Sequence, residues 1–147
     1  MAVEPAPDIE RVVRDGHTAY QRGDADALKG GWSKDKSATL FGSAPGERWE
    51  GPTAITEGMA GDIAQRSDQA PRSRLENVHA YRDGDVGWAV AEIVTVVGDD
   101  EIPTRGNAVL RREDGEWKFV LWAYSVLVPN EVFEPGSTLV ETVSTAR

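Results

Sequence analysis

The sequence lacks cysteine altogether and has few of the features that mark membrane or nucleic-acid-binding proteins. Without cysteine among its 147 residues, the chain has no disulfides, no thiolate catalysis and no cysteine-ligated zinc, which fits a reducing cytoplasm. Lys and Arg number 16 against 25 Asp and Glu, a net charge of −9, and they form no basic cluster that would attract nucleic acid. No apolar run approaches the roughly 18 residues of a membrane span. The acidic start, with prolines at positions 5 and 7, lacks the apolar stretch of a secretory signal. We therefore predict one cytoplasmic domain without nucleic-acid or membrane partners.

The most regular part of the chain, residues 74–129, predicts an antiparallel meander. Asp-Gly dipeptides at 83–84 and 114–115 separate β-rich runs. Such dipeptides favour two-residue hairpins, because both central residues of a type I′ turn need positive φ. Residues 98–101 are expected to form a four-residue connection between the two middle strands.

Helical patterns precede the meander. Asp8 is the expected N-cap of a first helix that ends near Arg22, and its apolar stripe has helical spacing: Ile9, Val12, Val13, Gly16 and Tyr20. Gly23 fits the left-handed position that closes this helix.

The next segments alternate between helix and strand. Asp24 is expected to cap a short second helix, residues 37–43 and 48–50 are extended, and Pro52 begins a third helix, where its missing N–H costs nothing. Ile55, Met59 and Ile63 form the stripe of this third helix.

This element order and four local segments carry a family resemblance. The first three segments are residues 20–28 (YQRGDADAL), 48–52 (RWEGP) and 84–88 (GDVGW). The fourth lies at the end of the meander and comprises GEWKF at 115–119, Tyr124-Ser125 and VPNE at 128–131. Together they resemble the SnoaL-like domains of the nuclear-transport-factor-2-like (NTF2-like) superfamily over residues 8–131. The resemblance implies an α+β cone, in which three N-terminal helices pack on a curved, mainly antiparallel sheet around a pocket. Residues 1–7 would then be a flexible arm and residues 132–147 a C-terminal extension.

The family's best-known catalytic positions are not matched here. The oxyanion-donor Tyr and the Asp base of ketosteroid isomerases fall on Gly16 and near Gly42. The Arg-x-Asp pair of the superfamily's epoxide hydrolases has its nearest match at 105–107, where Asn replaces the base, and a His common in SnoaL-like chains is Ala123. The resemblance therefore implies fold and a pocket without a cofactor, since this fold hosts isomerases, cyclases, dehydratases and plain binding modules.

Strand alternation, with two-residue turns and no bulge, sorts the side chains of the meander onto two faces. Small residues collect on the inner face, which indicates either close helix packing or a ligand cavity: Gly87, Ala89, Ala91, Gly106, Ala108 and Ala123. The inner face also receives Trp117, Phe119 and Ser125. The expected pocket walls are Tyr20, Trp32, Trp49 and Met59 from the helices and a loop, with Arg74, Ala91, Gly106, Ala123 and Ser125 from the sheet.

Two residues are candidates for acid–base catalysis. Glu76 is placed on the inner face, where an apolar pocket would raise the pKa of its carboxyl, although a solvated charge at the strand edge is the alternative. His17 beside the apolar stripe of the first helix titrates near neutrality, although a partly buried structural histidine is the alternative. No spacing of His and carboxylates predicts a metal site.

The outer face combines aromatic residues with charges and predicts a homodimer through Trp88, Trp122 and Tyr124. For function, the sequence predicts a protein that holds a small apolar molecule. It is either a cofactor-independent isomerase, cyclase or dehydratase acting on a carbonyl-bearing, polyketide-like substrate, or a non-catalytic binding or sequestering protein. A dimeric interaction module with a solid core is the third possibility.

Overall fold

The computed structural model describes residues 2–66 and 72–139 of the chain. Strands and helices follow in the order β1 (Glu4–Pro5), α1 (Pro7–Arg22), α2 (Ala25–Gly31), β2 (Thr39–Phe41), β3 (Arg48–Glu50), α3 (Pro52–Gln65), β4 (Arg72–Asp83), β5 (Val86–Val97), β6 (Asp100–Glu113) and β7 (Glu116–Val126), before a 3-10 turn at Asn130–Phe133.

One seven-stranded sheet of order β1-β4-β5-β6-β7-β2-β3 forms the scaffold. Only the pairing of β2 with β7 is parallel among the described strands. The three helices pack against the inner face of this curved sheet, which confirms the predicted α+β cone. None of the helices in the described ranges is long and apolar enough to cross a membrane. Part of the N-terminal arm pairs with the sheet, because Glu4 and Pro5 lie opposite Arg82 and Tyr81.

Of the three hairpins of the meander, one is as predicted, one is shifted by a residue and one is tighter than predicted. Asp114 (φ 51°) and Gly115 (φ 81°) both have positive φ, which confirms the type I′ turn between β6 and β7. The first turn is Gly84-Asp85, one residue later than expected, because Asp83 already pairs with Val86. The predicted four-residue connection at 98–101 is wrong, since Val97 pairs with Asp100 across a two-residue turn.

Helix ends follow local chemistry with one exception. Gly23 (φ 70°) closes α1, the Asp24 side chain accepts a hydrogen bond of 3.0 Å from the Ala27 N–H, and Pro52 begins α3, all as predicted. The N-cap prediction for Asp8 is wrong, because α1 begins at Pro7 with Ala6 as its N-cap, two residues earlier than predicted, and Asp8 lies in the first turn.

The core lies between the helices and the inner face of the sheet. Ile9 and Val13 of α1, with Ile55 of α3, are buried against small residues of the strands such as Ala89 and Ala108. At Gly87 a Cβ atom would collide with the Ile9 side chain, so glycine is what lets α1 approach β5 this closely.

An unpredicted bulge in β7 reverses the faces of its second half. Leu110 pairs with Phe119 but Val109 pairs with Leu121, so Val120 is an extra residue between two ladder pairs. Side chains after the bulge therefore point opposite to the predicted direction. Ala123 and Ser125 lie on the outer face, and Trp122 and Tyr124, predicted to form the dimer interface, lie on the inner face.

A second bulge in β4 changes the placement of Arg74 and Glu76. Leu75 pairs with Ile93 and Asn77 pairs with Glu92, which leaves Glu76 as the extra residue. The predicted inner-face positions of Arg74 and Glu76 are wrong: their side chains are 49% and 45% exposed and form an ion pair with each other. Simple alternation counted back from the β4–β5 turn fails here, because one added residue inverts the side chains on the far side of the bulge.

Candidate ligand-binding groove

A groove of about 470 Å³ opens between α1, α2 and the β6–β7 hairpin. We call it the α1–α2 groove. Its lining comes from three elements: Asp8, Arg11, Val12, Asp15, Gly16 and Ala19 of α1; Ala27, Leu28, Gly31 and the following Trp32 of α2; and Arg112 with residues 115–119 of the hairpin. Its volume falls within the range of roughly 300–1,000 Å³ typical of small-molecule pockets.

Aromatic side chains form the floor of the α1–α2 groove. The ring centroids of Trp32 and Phe119 lie 5.7 Å apart in a tilted pair, and both side chains are largely buried. The Ser33 N–H donates a 2.9 Å hydrogen bond to the Phe119 carbonyl, which fixes the end of α2 to β7. Trp117 continues the floor toward the hairpin turn.

Small residues on both helices keep this floor open. A Cβ atom on Gly16 would lie 3.4 Å from Phe119 Cε2, and one on Gly31 would lie 3.8 Å from Phe119 Cδ2. Both glycines therefore face the Phe119 ring, and Ala19 and Ala27 extend the two walls. Any longer side chain at these positions would extend into the groove.

Charged side chains of both signs line the rim in equal numbers: Arg11, Arg112 and Lys118 are cationic, and Asp8, Asp15 and Glu116 are anionic. The Lys118 ammonium donates a 2.7 Å hydrogen bond to Glu116 and so lowers the pKa of that carboxyl. The rim thus carries no net charge.

Asp8 holds the Trp117 end of the floor. The Trp117 Nε1–H donates a 2.8 Å hydrogen bond to Asp8 Oδ2, and the Arg112 guanidinium lies 4.6 Å above the indole centroid. Burial by itself raises the pKa of Asp8, but this hydrogen bond, a second one from the Ile9 N–H and the charge of Arg82 lower it below its ordinary value. Asp8 is therefore an ionised structural acceptor and a weak base.

Among the predicted pocket residues, only Trp32 lines the α1–α2 groove. Tyr20 instead donates a hydrogen bond to Asp62 of α3, and the Arg66 guanidinium lies 3.9 Å over its ring. Trp49 packs on Gly58 of α3, and Met59 is a buried core residue. These side chains join helices to one another and to the sheet.

Predicted sheet positions of the pocket are covered or turned away. Ala91 is 1% exposed, and the Trp122 indole covers Gly106 so closely that a Cβ there would collide with it. Trp122 also meets Phe119 edge to face, with ring centroids 6.1 Å apart. The volume that small inner-face residues leave is therefore occupied by an indole that the sequence analysis placed outside. Arg74, on the outside, binds Glu101 through two hydrogen bonds of 2.8 and 3.1 Å.

The two catalytic candidates lie apart. Glu76 is at the solvent-exposed bulge of β4, whereas His17 Nε2 lies 2.8 Å from Ser73 Oγ on the inner face. Gln21 forms two hydrogen bonds with the same serine: its Nε2 donates to Ser73 Oγ at 3.0 Å, and its Oε1 accepts from the Ser73 N–H at 3.2 Å. Burial lowers the pKa of His17. This cluster fastens α1 to β4, and within residues 2–66 and 72–139 no carboxylate forms a hydrogen bond or ion pair with His17.

Sequence reasoning placed Trp117 and Phe119 on the inner face without assigning them to a site. The available signal was the Gly30-Gly31 pair immediately before Trp32, because glycine adds no side chain above the neighbouring aromatic rings. Within residues 2–66 and 72–139, no group of three or more His, Asp or Glu side chains is arranged to hold a metal ion.

Comparison with known proteins identifies the family. The SnoaL-like domain profile matches residues 9–129, most of the chain. The comparison with curated proteins gave no match. Among solved structures, an NTF2-like protein of unknown function from Pseudomonas putida has a TM-score of 0.74 at 17% identity, with 87% of this chain and 90% of that chain covered.

Two further structures agree on the fold. An NTF2-like family protein from Streptomyces avermitilis has a TM-score of 0.71 at 16% identity and covers 84% of this chain and 96% of its own. A protein with a cystatin-like fold from Caulobacter vibrioides has a TM-score of 0.72 at 14% identity, covering 86% and 92%. From the profile match and the cone architecture together, the chain belongs to the SnoaL-like domain family of the NTF2-like superfamily.

Proposed function

We propose that this protein binds a small, uncharged and largely apolar molecule in the α1–α2 groove. Its family is of the small-molecule-binding or isomerase type. The observation that carries the proposal is the aromatic floor of Trp32, Trp117 and Phe119 in a groove of about 470 Å³. Aromatic floors with a few polar groups at the rim are the usual composition of small-molecule sites.

The rim supports an uncharged ligand. Three cationic side chains stand against three carboxylates, so the groove has no net field that would select an anion or a cation. Lys118 and Arg112 are each engaged by carboxylates of the same rim, at 2.7 Å from Glu116 and 3.7 Å from Asp8. A charged ligand would have to displace these ion pairs, whereas a flat apolar ring could stack on the aromatic floor and leave them intact.

The chemistry of the groove supports binding without catalysis. Asp8 and Glu116 have lowered pKa values, and an ionised carboxylate with a lowered pKa is a poor general base. His17 and Ser73 do not line the groove. We therefore favour a ligand-binding or sequestering role over the isomerase, cyclase or dehydratase role.

A pair of adjacent glycines provides a matched test. Gly31 faces Phe119 in the groove, whereas a Cβ on its neighbour Gly30 would meet nothing within 4 Å. Gly31→Leu should fill the groove and weaken binding of the neutral fluorophore N-phenyl-1-naphthylamine at least about tenfold, a loss of roughly 1.4 kcal/mol. Gly30→Leu should leave its Kd unchanged. Fluorescence titration of the wild type and both variants measures the three affinities.

Both substitutions remove a helix glycine, so their intrinsic effects on helix stability are matched at about 1 kcal/mol or less. Equal affinities of the two variants would place the probe elsewhere and contradict the proposal. Absence of any binding by the wild type would favour the interaction module with a solid core. Tighter binding of the anionic analogue 8-anilinonaphthalene-1-sulfonate than of the neutral probe would contradict the uncharged ligand.

A further inference from the structure

A serine and a histidine outside the α1–α2 groove form a hydrogen-bonded pair on the inner face of the sheet. Ser73 lies near the start of β4, and His17 lies in the second half of α1. The distance from His17 Nε2 to Ser73 Oγ is 2.8 Å, and both residues are only partly buried. This distance is the one expected between a nucleophilic hydroxyl and its general base.

Gln21 fixes the direction of the hydrogen bonds around Ser73. The Ser73 N–H can only donate, so the Gln21 atom that accepts from it at 3.2 Å is the carbonyl oxygen Oε1. Gln21 Nε2 therefore carries both amide hydrogens and donates to Ser73 Oγ at 3.0 Å. The serine oxygen is an acceptor toward Gln21, which leaves its own hydrogen for a different partner.

His17 is the acceptor for that hydrogen. Within residues 2–66 and 72–139, only His17 and Gln21 form hydrogen bonds with Ser73 Oγ. If His17 also donated, the hydroxyl hydrogen would have no protein acceptor, so every group is satisfied when Ser73 donates to an unprotonated Nε2. Burial lowers the pKa of His17 below its ordinary value of 6.5, so its imidazole is neutral at neutral pH and free to take up a proton.

The pair lies at an edge of the sheet. β4 pairs with β5 along its length, whereas on its other side β1 pairs only with Tyr81 and Arg82, at the far end of the strand. On that side Ser73 contacts the helix α1, through Gln21, and none of the described strands. The partly exposed hydroxyl is therefore approached from this edge.

We propose that Ser73 is a nucleophile for acyl transfer, that His17 is its general base and that Gln21 is a positioning residue for the hydroxyl. The substrate class is an activated carboxylic ester whose leaving group is a phenol or another weakly basic alcohol. A good leaving group is needed because the Ser73 N–H is bonded to Gln21, so it does not stabilise an oxyanion. The inference goes beyond ligand binding, and neither Ser73 nor His17 lines the α1–α2 groove.

The reaction proceeds in two steps. In the first, Ser73 Oγ bonds to the ester carbon and its proton passes to His17 Nε2; the bond to the phenol oxygen then breaks, and that oxygen takes the proton. In the second, a water molecule gives a proton to His17 Nε2 and its oxygen bonds to the acyl carbon. Cleavage of the acyl–Ser73 bond returns the proton to Ser73 Oγ and releases the carboxylic acid, so ester and water become acid and phenol.

Reaction with diisopropyl fluorophosphate tests the nucleophile. Ser73 Oγ should displace fluoride from phosphorus, and peptide mass mapping should then find a single diisopropylphosphoryl group per chain, on Ser73. Labelled protein and Ser73→Ala should both lose the burst of p-nitrophenol that the wild type gives with p-nitrophenyl acetate. Ser125→Ala, which changes an exposed serine of the outer face, is the control and should be labelled like the wild type.

Two further variants test the partners of Ser73. His17→Gln should slow labelling at least about a hundredfold, because a positioned base contributes about that much, whereas His79→Gln should leave the rate unchanged. Gln21→Glu keeps an acceptor for the Ser73 N–H, but its second oxygen competes with His17 for the hydroxyl hydrogen. Labelling of Gln21→Glu should therefore slow at least about tenfold, the size of one hydrogen bond to a charged group.

Melting temperatures within a few degrees of wild type verify that each variant is folded. An unlabelled Ser73 in the wild type would overturn the proposal, and so would a labelling rate that His17→Gln leaves unchanged. Label spread evenly over several serines would show general surface reactivity and would equally contradict it. The affinity for N-phenyl-1-naphthylamine should be the same before and after labelling, since the groove is a separate site, and a loss of that affinity would contradict the separation.

Discussion

At the scale of single residues, burial distinguishes the two histidines. His17 is partly buried and contacts Ser73, whereas His79 is exposed on the outer face. Burial disfavours the imidazolium, so the pKa of His17 lies below its ordinary value of 6.5 in the folded protein. His17 therefore contributes to a hydrogen-bonded cluster between α1 and β4, as in the structural alternative that the sequence left open.

A pH dependence of stability follows from this lowered pKa. The unfolded chain protonates His17 near pH 6.5, but the folded chain protonates it only at lower pH, so the unfolded state binds more protons in that window. The free energy of unfolding should therefore fall as pH drops from about 7.5 through 6.5 to the folded pKa, and should gain no further slope from this group below it. Urea denaturation between pH 5.5 and 8 should show this decline in the wild type and a smaller one in His17→Gln. His79→Gln is the matched control, and identical slopes for wild type and His17→Gln would contradict the prediction.

At the scale of elements, one extra residue in β7 decides what fills the cone. The bulge at Val120 turns Trp122 inward onto Gly106 and Phe119, where it fills space that alternation left empty. The small residues Gly106 and Ala108 are therefore partners of this indole and not walls of a cavity.

Trp122→Glu tests this assignment. A carboxylate in place of the indole would remove packing against Phe119 and place a charge on the inner face, which we expect to cost about 3 kcal/mol or more. Trp88→Glu makes the same exchange on the exposed outer face and should cost well under half of that. Urea denaturation measures the free energy of unfolding of both variants. It is carried out at sub-micromolar protein concentration, so that dissociation of a dimer contributes little to that free energy. A smaller loss of stability for Trp122→Glu than for Trp88→Glu would indicate that Trp122 lies on the outer face.

At the scale of the whole molecule, the sheet separates two surfaces. The α1–α2 groove lies among the helices and the β6–β7 hairpin, and the outer face, on which the sequence predicts a homodimer, lies on the opposite side of the same sheet. Because the two surfaces share no lining residue, ligand binding and self-association should be thermodynamically independent.

Linkage makes this independence measurable. The Kd of N-phenyl-1-naphthylamine should be the same, within about twofold, for the wild-type protein and for Trp88→Glu, which places a charge on the outer face. Conversely, saturating probe at about 100 times its Kd should stabilise each protein by about 2.7 kcal/mol and should leave the dimer dissociation constant unchanged. Calorimetry and sedimentation with and without probe provide both values. A probe affinity that changes with assembly would show that the groove and the outer face are coupled.

Local sequence alone determined the elements and several of their ends. Asp114-Gly115 specified a type I′ turn because both residues adopt positive φ, Asp24 and Pro52 marked helix starts through their hydrogen-bonding chemistry, and the order of elements predicted the cone. These features depend on interactions within a few residues, which a sequence displays directly.

Tertiary structure alone decided which side chains meet. The bulges at Glu76 and Val120 carry no local signature, yet each inverts the side chains on the side of the bulge away from the hairpin turn. They moved Arg74, Ala123, Ser125 and Trp122 to faces opposite to those predicted. The α1–α2 groove likewise depends on how far α2 stands from α1 above Phe119. Register and spacing between elements are settled by the packing of the whole core, because the local strand pattern is compatible with either face.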